Sequence, residues 1–72
     1  ETFYTDAEIQ RRMEWNEKAS NKGSAEAAFN LGQIYEYCFK DRKTAKLWYQ
    51  KASRRGHKKA RDKLNQVYFT NL

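Results

Sequence analysis

The segment WYQKASRRGHKKARDKL, residues 48–64, repeats the skeleton of WNEKASNKGSAEAAFNL, residues 15–31. A shift of 33 residues places Trp48 on Trp15, Gly56 on Gly23 and Leu64 on Leu31. A period of this length in a helical sequence is typical of α-solenoids, in which each unit covers the apolar face of its neighbour. The second copy is therefore expected to bury the first. The same shift aligns Lys18, Ala19, Ser20, Ala27, Ile34 and Tyr35 with Lys51, Ala52, Ser53, Ala60, Val67 and Tyr68.

Length and composition limit the classes of protein to which this chain can belong. A chain of 72 residues has room for one domain, spanning residues 1–72, with a small core. One cysteine, Cys38, and one histidine, His57, give neither an internal disulfide nor a structural zinc site. No apolar run reaches the roughly 20 residues that cross a bilayer. We expect no metal, no cofactor and no membrane insertion, whereas cytoplasmic, periplasmic and secreted locations all stay open.

Local signals predict helices at about residues 5–22, 24–38, 42–55 and 57–71. Thr5, with Glu8 three residues later, forms a capping-box pattern, and Asp41 is suited to cap the third helix. Gly23 and Gly56 are placed to end helices. Connections this short force neighbouring helices to be antiparallel. The predicted fold is all-α, with two stacked antiparallel helical hairpins forming a short α-α superhelix.

Apolar residues recur at helical spacing along this pattern. Gly32 interrupts the second helix at a cost of about 1 kcal/mol relative to alanine, which predicts that a neighbouring helix passes too close for a side chain. Asn65 takes the equivalent place in the fourth helix and predicts a terminal cap of the stack. The residues expected to face inward are Ala27, Leu31, Ile34, Tyr35, Cys38, Ala45, Trp48, Tyr49, Ala52, Ala60, Leu64, Val67 and Tyr68.

Two segments resemble a known family. AEAAFNLGQIYEY, residues 25–37, and DRKTAKLWYQKASRRGHKKA, residues 41–60, are similar to the Sel-one-like repeat, a relative of the tetratricopeptide repeat. The likeness spans residues 12–68, but CFKD replaces the usual glycine-rich insertion between the paired helices. Arg12 stands where the family prefers alanine, and Asn16 stands where it prefers an aromatic residue.

The resemblance implies a function in binding. Sel-one-like proteins are generally adaptors that hold peptides or protein domains in assemblies, often in bacterial envelope, secretion or virulence systems and in membrane-associated degradation complexes. The residues themselves present no catalytic constellation, so we expect a protein that is not an enzyme. The resemblance also implies that the second and fourth helices line the ligand-facing surface. An amide such as that of Asn30 can pair with both the N–H and the C=O of a peptide. The residues predicted to face a ligand are Glu26, Asn30, Gln33, Tyr37, Lys59, Lys63 and Gln66.

Charge is distributed unevenly along the chain. Residues 1–39 hold four Lys or Arg against seven Asp or Glu, net −3, while residues 40–72 hold eleven against two, net +9. Five cations that crowd one helix-to-helix connection are called here the basic corner, and such a field steers acidic partners. These cations are Arg54, Arg55, Lys58, Lys59 and Arg61.

Three interpretations of the basic corner remain open: a solvated face, a surface for an acidic protein and, least favoured, a nucleic-acid contact. The sequence favours a protein-interaction module that binds an acidic protein or peptide, with no small-molecule substrate. The alternative is a small inhibitor that masks one acidic target electrostatically. Tyr37, Phe39 and Phe69 lie off the inward stripe and predict an exposed apolar edge or packing against the short loop. For His57, a capping or surface role is favoured over acid–base chemistry.

The sequence also bears on the first helix, at the edge of the predicted stack. Two hairpins fall below the three or so repeats that make a solenoid stable. We therefore expect the first helix either to be covered by the amino-terminal residues, to dimerise, or to meet further repeats. The apolar residues concerned are Phe3, Tyr4, Ile9 and Met13.

Overall fold

A computed structural model describes residues 5–68, except for the side chain of Val67. All regular structure in this range is helical, so the predicted all-α class is confirmed. Helices α2 and α4 each continue into a π-helical segment, called π1 and π2. The elements are α1 (Asp6–Asn21), α2 (Ala25–Gln33), π1 (Ile34–Cys38), α3 (Arg42–Arg54), α4 (Lys58–Lys63) and π2 (Leu64–Tyr68). The predictions for Phe3, Tyr4, Phe69 and the end of the fourth helix lie outside the described residues.

The helices begin at the residues that the sequence predicts. The Thr5 hydroxyl accepts the backbone N–H of Glu8 at 3.2 Å, and the Glu8 carboxylate accepts the backbone N–H of Thr5 at 2.8 Å, which completes the capping box. Ser24 caps α2 by accepting the Ala27 N–H at 3.1 Å. Asp41 caps α3 by accepting the N–H of Thr44, also at 3.1 Å. Each cap satisfies a backbone donor that the first turn of a helix leaves open.

The two glycine turns share one geometry. Gly23 has φ +100°, a left-handed conformation that glycine adopts without steric cost. Its N–H donates to the Ser20 carbonyl at 2.9 Å, and the Ser24 N–H donates to the Ala19 carbonyl at 3.1 Å. This pair of bonds defines a Schellman motif. Gly56, with φ +92°, carries the same pair of bonds in the second hairpin, so the sequence repeat is a repeat of turn structure as well.

The connection between α2 and α3 is built differently. The Phe39 N–H donates five residues back to the Ile34 carbonyl at 3.3 Å, which is a π-helical bond. The Asp41 N–H donates six residues back to Tyr35 at 2.8 Å, one residue further than in a Schellman motif. Lys40 takes the left-handed position, with φ +56°. The π-helical segment therefore closes a turn without the glycine-rich insertion.

Tyr49 is the centre of the core. It is fully buried on α3, and its ring lies against Gly32 of α2. A Cβ atom on Gly32 would lie 2.6 Å from two of the ring carbons, which confirms that the neighbouring helix leaves no room for a side chain there. The other buried apolar residues are Ala27, Ala28, Leu31, Ala45, Ala52, Ala60 and Leu64.

Burial follows the predicted stripe except at the end of π1. Ile34, Tyr35, Trp48 and Tyr68 are partly buried. The prediction that Cys38 faces inward is wrong, because Cys38 is exposed. The π-helical turn adds about one residue to each turn of helix, which rotates Cys38 away from the stripe that a 3.6-residue period extrapolates.

Acid should weaken the cap of α3. Hydrogen bonds from the hydroxyl and the backbone N–H of Thr44 lower the pKa of Asp41. Because the pKa is lower in the folded state, the cap contributes its full stability above the unfolded pKa and loses it as the pH falls through the folded pKa. We expect the melting temperature to fall between about pH 5 and pH 2.

The variant Asp41→Asn keeps a side-chain acceptor but cannot titrate, so its melting temperature should fall less over the same range. Part of the dependence should persist, because hydrogen bonds from the backbone and hydroxyl of Thr5 lower the pKa of Glu8 in the same direction. Thermal melts followed by circular dichroism at each pH provide the measurement. Identical pH profiles for the two proteins would show that Asp41 is not coupled to folding.

Candidate protein-binding site

A groove of about 340 Å³ opens between α1 and the continuous α2–π1 rod. It is called here the α1 groove. Its walls combine apolar side chains with amides and one guanidinium, so a bound group could make both apolar and hydrogen-bonding contacts. Helix α1 contributes Ile9, Arg12 and Asn16. The opposite wall is formed by Asn30, Gln33, Ile34, Tyr37 and Cys38.

Two asparagines link the walls of the groove. The Asn30 side-chain N–H donates to the Asn16 amide oxygen at 3.3 Å. The Asn16 side-chain N–H in turn donates to the Arg12 carbonyl at 2.8 Å. Asn16 is therefore fixed in orientation, and it holds one of the two N–H donors of Asn30. The partly buried amide of Asn30 also carries a second donor and an acceptor oxygen.

A polar network joins π1 to α3 and α4. The Tyr49 hydroxyl donates to the Glu36 carboxylate at 2.7 Å, and the Lys63 ammonium donates to the Tyr37 hydroxyl at 2.6 Å. Lys63 also lies 3.4 Å from the Glu36 carboxylate. The network uses Lys63 and Tyr37, two of the predicted ligand-facing residues, to hold the fold together.

Protonation states in this network follow from burial and hydrogen bonding. Burial, followed by the hydrogen bond to Glu36, raises the pKa of Tyr49 far above its usual value, so Tyr49 remains a donor. Burial alone would lower the pKa of Lys63, but the Tyr37 hydrogen bond and the charge of Glu36 outweigh it and raise the pKa. Lys63 is therefore a charged, internally paired cation.

The structure divides the other predicted ligand residues between elements. Asn30, Gln33 and Tyr37 lie together in the α1 groove, and Lys63 reaches its edge through Tyr37. Lys59 and Gln66 are exposed on α4 and π2, and neither lines the groove.

The basic corner surrounds the turn between α3 and α4. A small cavity of about 170 Å³ lies there, with Lys58 and Arg61 among its lining residues. Side chains of this turn contact the α1–α2 turn, so the basic corner and the α1 groove lie toward opposite ends of the helices. The cations of the corner, Arg54, Arg55, Lys58, Lys59 and Arg61, are all exposed residues.

Unlike the other cations of the basic corner, Arg55 has a structural role. Its guanidinium donates to the Ser20 carbonyl at 2.8 Å, to the Ser20 hydroxyl at 3.1 Å and to the Ser24 carbonyl at 3.3 Å. Ser20 is only 2% exposed. Arg55 therefore joins the two glycine turns.

Removal of this link should destabilise the fold. We expect Arg55→Ala to lower the free energy of unfolding by about 1–2 kcal/mol, because charge-assisted bonds to a buried carbonyl and hydroxyl are lost. The neighbouring substitution Arg54→Ala, which removes the same charge without these bonds, should change it by no more than about 0.5 kcal/mol. Urea titrations of both variants measure the difference. Equal losses would mean that charge, rather than the turn link, sets the effect.

His57 caps α4, in agreement with the structural role favoured by the sequence. Its Nδ1 accepts the Ala60 N–H at 3.1 Å, and its Nε2 lies 2.8 Å from the Glu26 carboxylate. Because Nδ1 accepts the Ala60 N–H, it carries no proton, so the ring proton lies on Nε2 and is donated to Glu26. The ring stacks on Phe29 with 4.5 Å between centroids. Glu26, predicted to face a ligand, is paired with this histidine and remains largely exposed.

Large apolar side chains are exposed at a few positions. Tyr37 and Phe39 are 55% and 48% exposed, in agreement with the predicted apolar edge. Trp15 is 76% exposed, which the sequence repeat did not anticipate. Its equivalent, Trp48, packs against a cluster that contains Ala28 of α2. Within residues 5–68, no helix covers Trp15 in the way that α2 covers Trp48.

The described part of the chain carries neither a membrane-spanning helix nor a cluster of metal-ligating side chains. Within residues 5–68, no helix combines the length and apolarity needed to cross a membrane. The same range contains no group of three or more His, Cys, Asp or Glu side chains arranged to hold a metal ion.

Fold and site together define a small all-helical protein with a mixed groove on one side and a cationic corner at one end. No protein-family model matches the chain, and neither the curated proteins nor the solved structures include a significant match.

Proposed function

We propose that this protein is a protein-interaction module that binds an acidic peptide or protein segment. In the proposal, the chain is a short α-α superhelix of the Sel-one-like type. Its activity is binding, and it involves no catalytic step and no cofactor. The observation that carries the proposal is the α1 groove, in which the amides of Asn30 and Gln33 and the guanidinium side chain of Arg12 lie beside apolar walls.

Support for the superhelix comes from the internal repeat. The two hairpins share Schellman turns at Gly23 and Gly56, and each turn is followed at once by a side-chain cap, Ser24 or His57. Equal turns at a spacing of 33 residues give each hairpin the same entry into its second helix. Repetition of one hairpin geometry is the basis of solenoid stacking.

Support for an acidic ligand comes from charge. Residues 40–72 carry a net charge of +9, and Arg54, Lys58, Lys59 and Arg61 are exposed at one corner. A cationic field raises the association rate of acidic partners, while contacts in the groove provide selectivity.

Selection from a displayed library of random peptides tests the proposal. We expect enrichment of sequences that combine Asp or Glu with bulky apolar residues. For an enriched peptide, Asn30→Ala should weaken binding about tenfold, as for the loss of one buried hydrogen bond. The paired reversal Arg54→Glu/Lys58→Glu, which leaves the structural Arg55 intact, should mainly slow association and reduce the salt dependence.

Two results would favour a different function. If the charge reversal abolishes binding and Asn30→Ala has no effect, the electrostatic-masking alternative replaces the groove. If random duplex DNA binds as tightly as the selected peptides, the protein is a nucleic-acid binder. Absence of any enriched peptide sequence would overturn the proposed function.

A further inference from the structure

The α1 groove has an equivalent position in the second hairpin, and the internal repeat identifies the residues that fill it there. The shift of 33 residues pairs Asn16 with Tyr49 and Arg12 with Ala45. Tyr49 and Ala45 are both fully buried, and the Tyr49 ring fills the space beside α3. Asn16 is smaller and only partly buried, and Arg12 is exposed. The groove is therefore the site at which the first hairpin lacks an aromatic ring.

The second hairpin also shows which element covers that place. Helix α3 packs against α2 and π1 on one side and against α4 and π2 on the other. Helix α1 has α2 as its main neighbour, and within residues 5–68 no helix lies over the α1 groove as α2 and π1 lie over Tyr49. Trp15, also on α1, is exposed, whereas its equivalent Trp48 on α3 is packed. The exposure of Trp15 has the same cause, the lack of a covering helix within residues 5–68. The α1 groove is thus open at the place where a helix packs in the second hairpin.

Charge specifies the chemistry of the covering helix. In the second hairpin, π1 supplies the Glu36 carboxylate, which accepts from Tyr49 and pairs with Lys63. The equivalent of Lys63 in the first hairpin is Asn30, a donor that lines the α1 groove. Arg12, which also interacts with other residues of the chain, adds a guanidinium with five N–H donors, and none of the groove-lining residues described is a carboxylate. A covering helix would complete this arrangement by bringing its own carboxylate.

We propose that the α1 groove binds an amphipathic helix of an acidic partner protein. A bulky apolar side chain of that helix fills the space that Tyr49 fills in the second hairpin. A glutamate about one helical turn further along accepts hydrogen bonds from Arg12 and Asn30, as Glu36 accepts from Tyr49. This inference rests on the proposed function and specifies its ligand as helical and its site as the groove.

Synthetic peptides test the inference directly. The probe is an alanine-rich helical peptide of about 16 residues, long enough to form a helix, with Phe and Glu four positions apart. The matched control carries Gln in place of Glu. We expect the Glu peptide to bind about tenfold more tightly than the Gln peptide. In nitrogen-15 spectra of the labelled protein, the side-chain amide signals of Asn16 and Asn30 should shift on binding.

A groove-filling variant provides the sharpest control. Asn16→Tyr restores the residue of the second hairpin and should abolish binding of the Glu peptide without lowering the melting temperature. Should that variant fail to fold, Asn30→Ala and Arg12→Gln replace it, and each should weaken binding about fivefold or more. Arg61→Glu, in the basic corner, should leave the preference for Glu over Gln unchanged.

The outcomes separate this inference from the proposed function. If acidic peptides bind but only Arg61→Glu weakens them, the site is the basic corner and the groove assignment is overturned, while the proposed function survives. If no helical peptide binds although unstructured library peptides do, the helical ligand is wrong. If the chain dimerises in sedimentation experiments and Asn16→Tyr makes it monomeric, the occupant is a second copy of the chain, which also overturns the inference.

Discussion

Replacement of Tyr49 by alanine is expected to lower the free energy of unfolding by about 3–5 kcal/mol, the range for loss of a buried aromatic side chain. Tyr49 is fully buried, and its ring contacts those of Phe29 and Tyr68, at centroid distances of 5.5 Å and 5.9 Å. A domain of this size has a total stability of about 4–11 kcal/mol. The variant should therefore lose a large share of its stability and unfold at a clearly lower urea concentration, as measured by urea titration followed by circular dichroism.

Tyr49→Phe separates packing from hydrogen bonding. It keeps the ring and removes only the hydroxyl that donates to Glu36 at 2.7 Å. Lys63 remains beside Glu36 at 3.4 Å, so the carboxylate keeps a partner. We expect a loss of about 1–2 kcal/mol, clearly smaller than for alanine. If the two variants lose the same stability, the ring does not pack as described.

Replacement of Gly32 by leucine is expected to destabilise the fold by about 3 kcal/mol or more, through overpacking. Even the Cβ of alanine would lie 2.6 Å from ring carbons of Tyr49, which is fully buried and packs against Phe29 and Tyr68. Gly32→Ala should therefore also destabilise the protein, although alanine favours the helix by about 1 kcal/mol relative to glycine. Thermal and urea denaturation of both variants measure the effect.

A double-mutant cycle identifies the cause. In a Tyr49→Leu background the ring carbons are gone, so Gly32→Ala should become neutral or stabilising by up to about 1 kcal/mol. Positions in contact are expected to couple in this way, whereas independent positions add. If Gly32→Ala costs the same in both backgrounds, the close approach of Tyr49 to α2 is not what requires glycine at position 32.

Much of the fold follows from local sequence signals. The Thr5–Glu8 capping box and the Asp41 cap are read from residues three positions apart, and Gly23 ends its helix through its own conformational freedom. Each of these features acts within one turn of chain, so composition and spacing determine it. The close approach at Gly32 was also inferable, because glycine inside a helix is costly without a packing reason.

The π-helical segments escaped prediction for a physical reason. A hydrophobic stripe with a 3.6-residue period assumes regular α-helix up to the last residue, and nothing in the letters IYEYC marks a wider turn. The error at Cys38 follows directly from this assumption. Lys40 in a left-handed conformation was equally hidden, since the turn that requires it depends on the preceding π-helical bond.

The candidate site was predicted in part. Asn30, Gln33 and Tyr37 do line one groove, but the opposite wall, on α1, was missed. The signal for it was present, because the repeat alignment places Asn16 where the second copy has Tyr49. Partners 31 and 35 residues apart, such as Glu26 with His57 and Ser20 with Arg55, are set by how the hairpins meet, and no local pattern contains that information.

The bond between Arg55 and the first glycine turn also has a mechanical consequence. It joins the two hairpins where Ser20 and Ser24 meet Arg55. Toward the other end of the helices, the Tyr49 hydroxyl donates to Glu36 of π1 and joins the hairpins a second time. With a link at each end, one hairpin cannot pivot on the other as a rigid body until one of these bonds breaks.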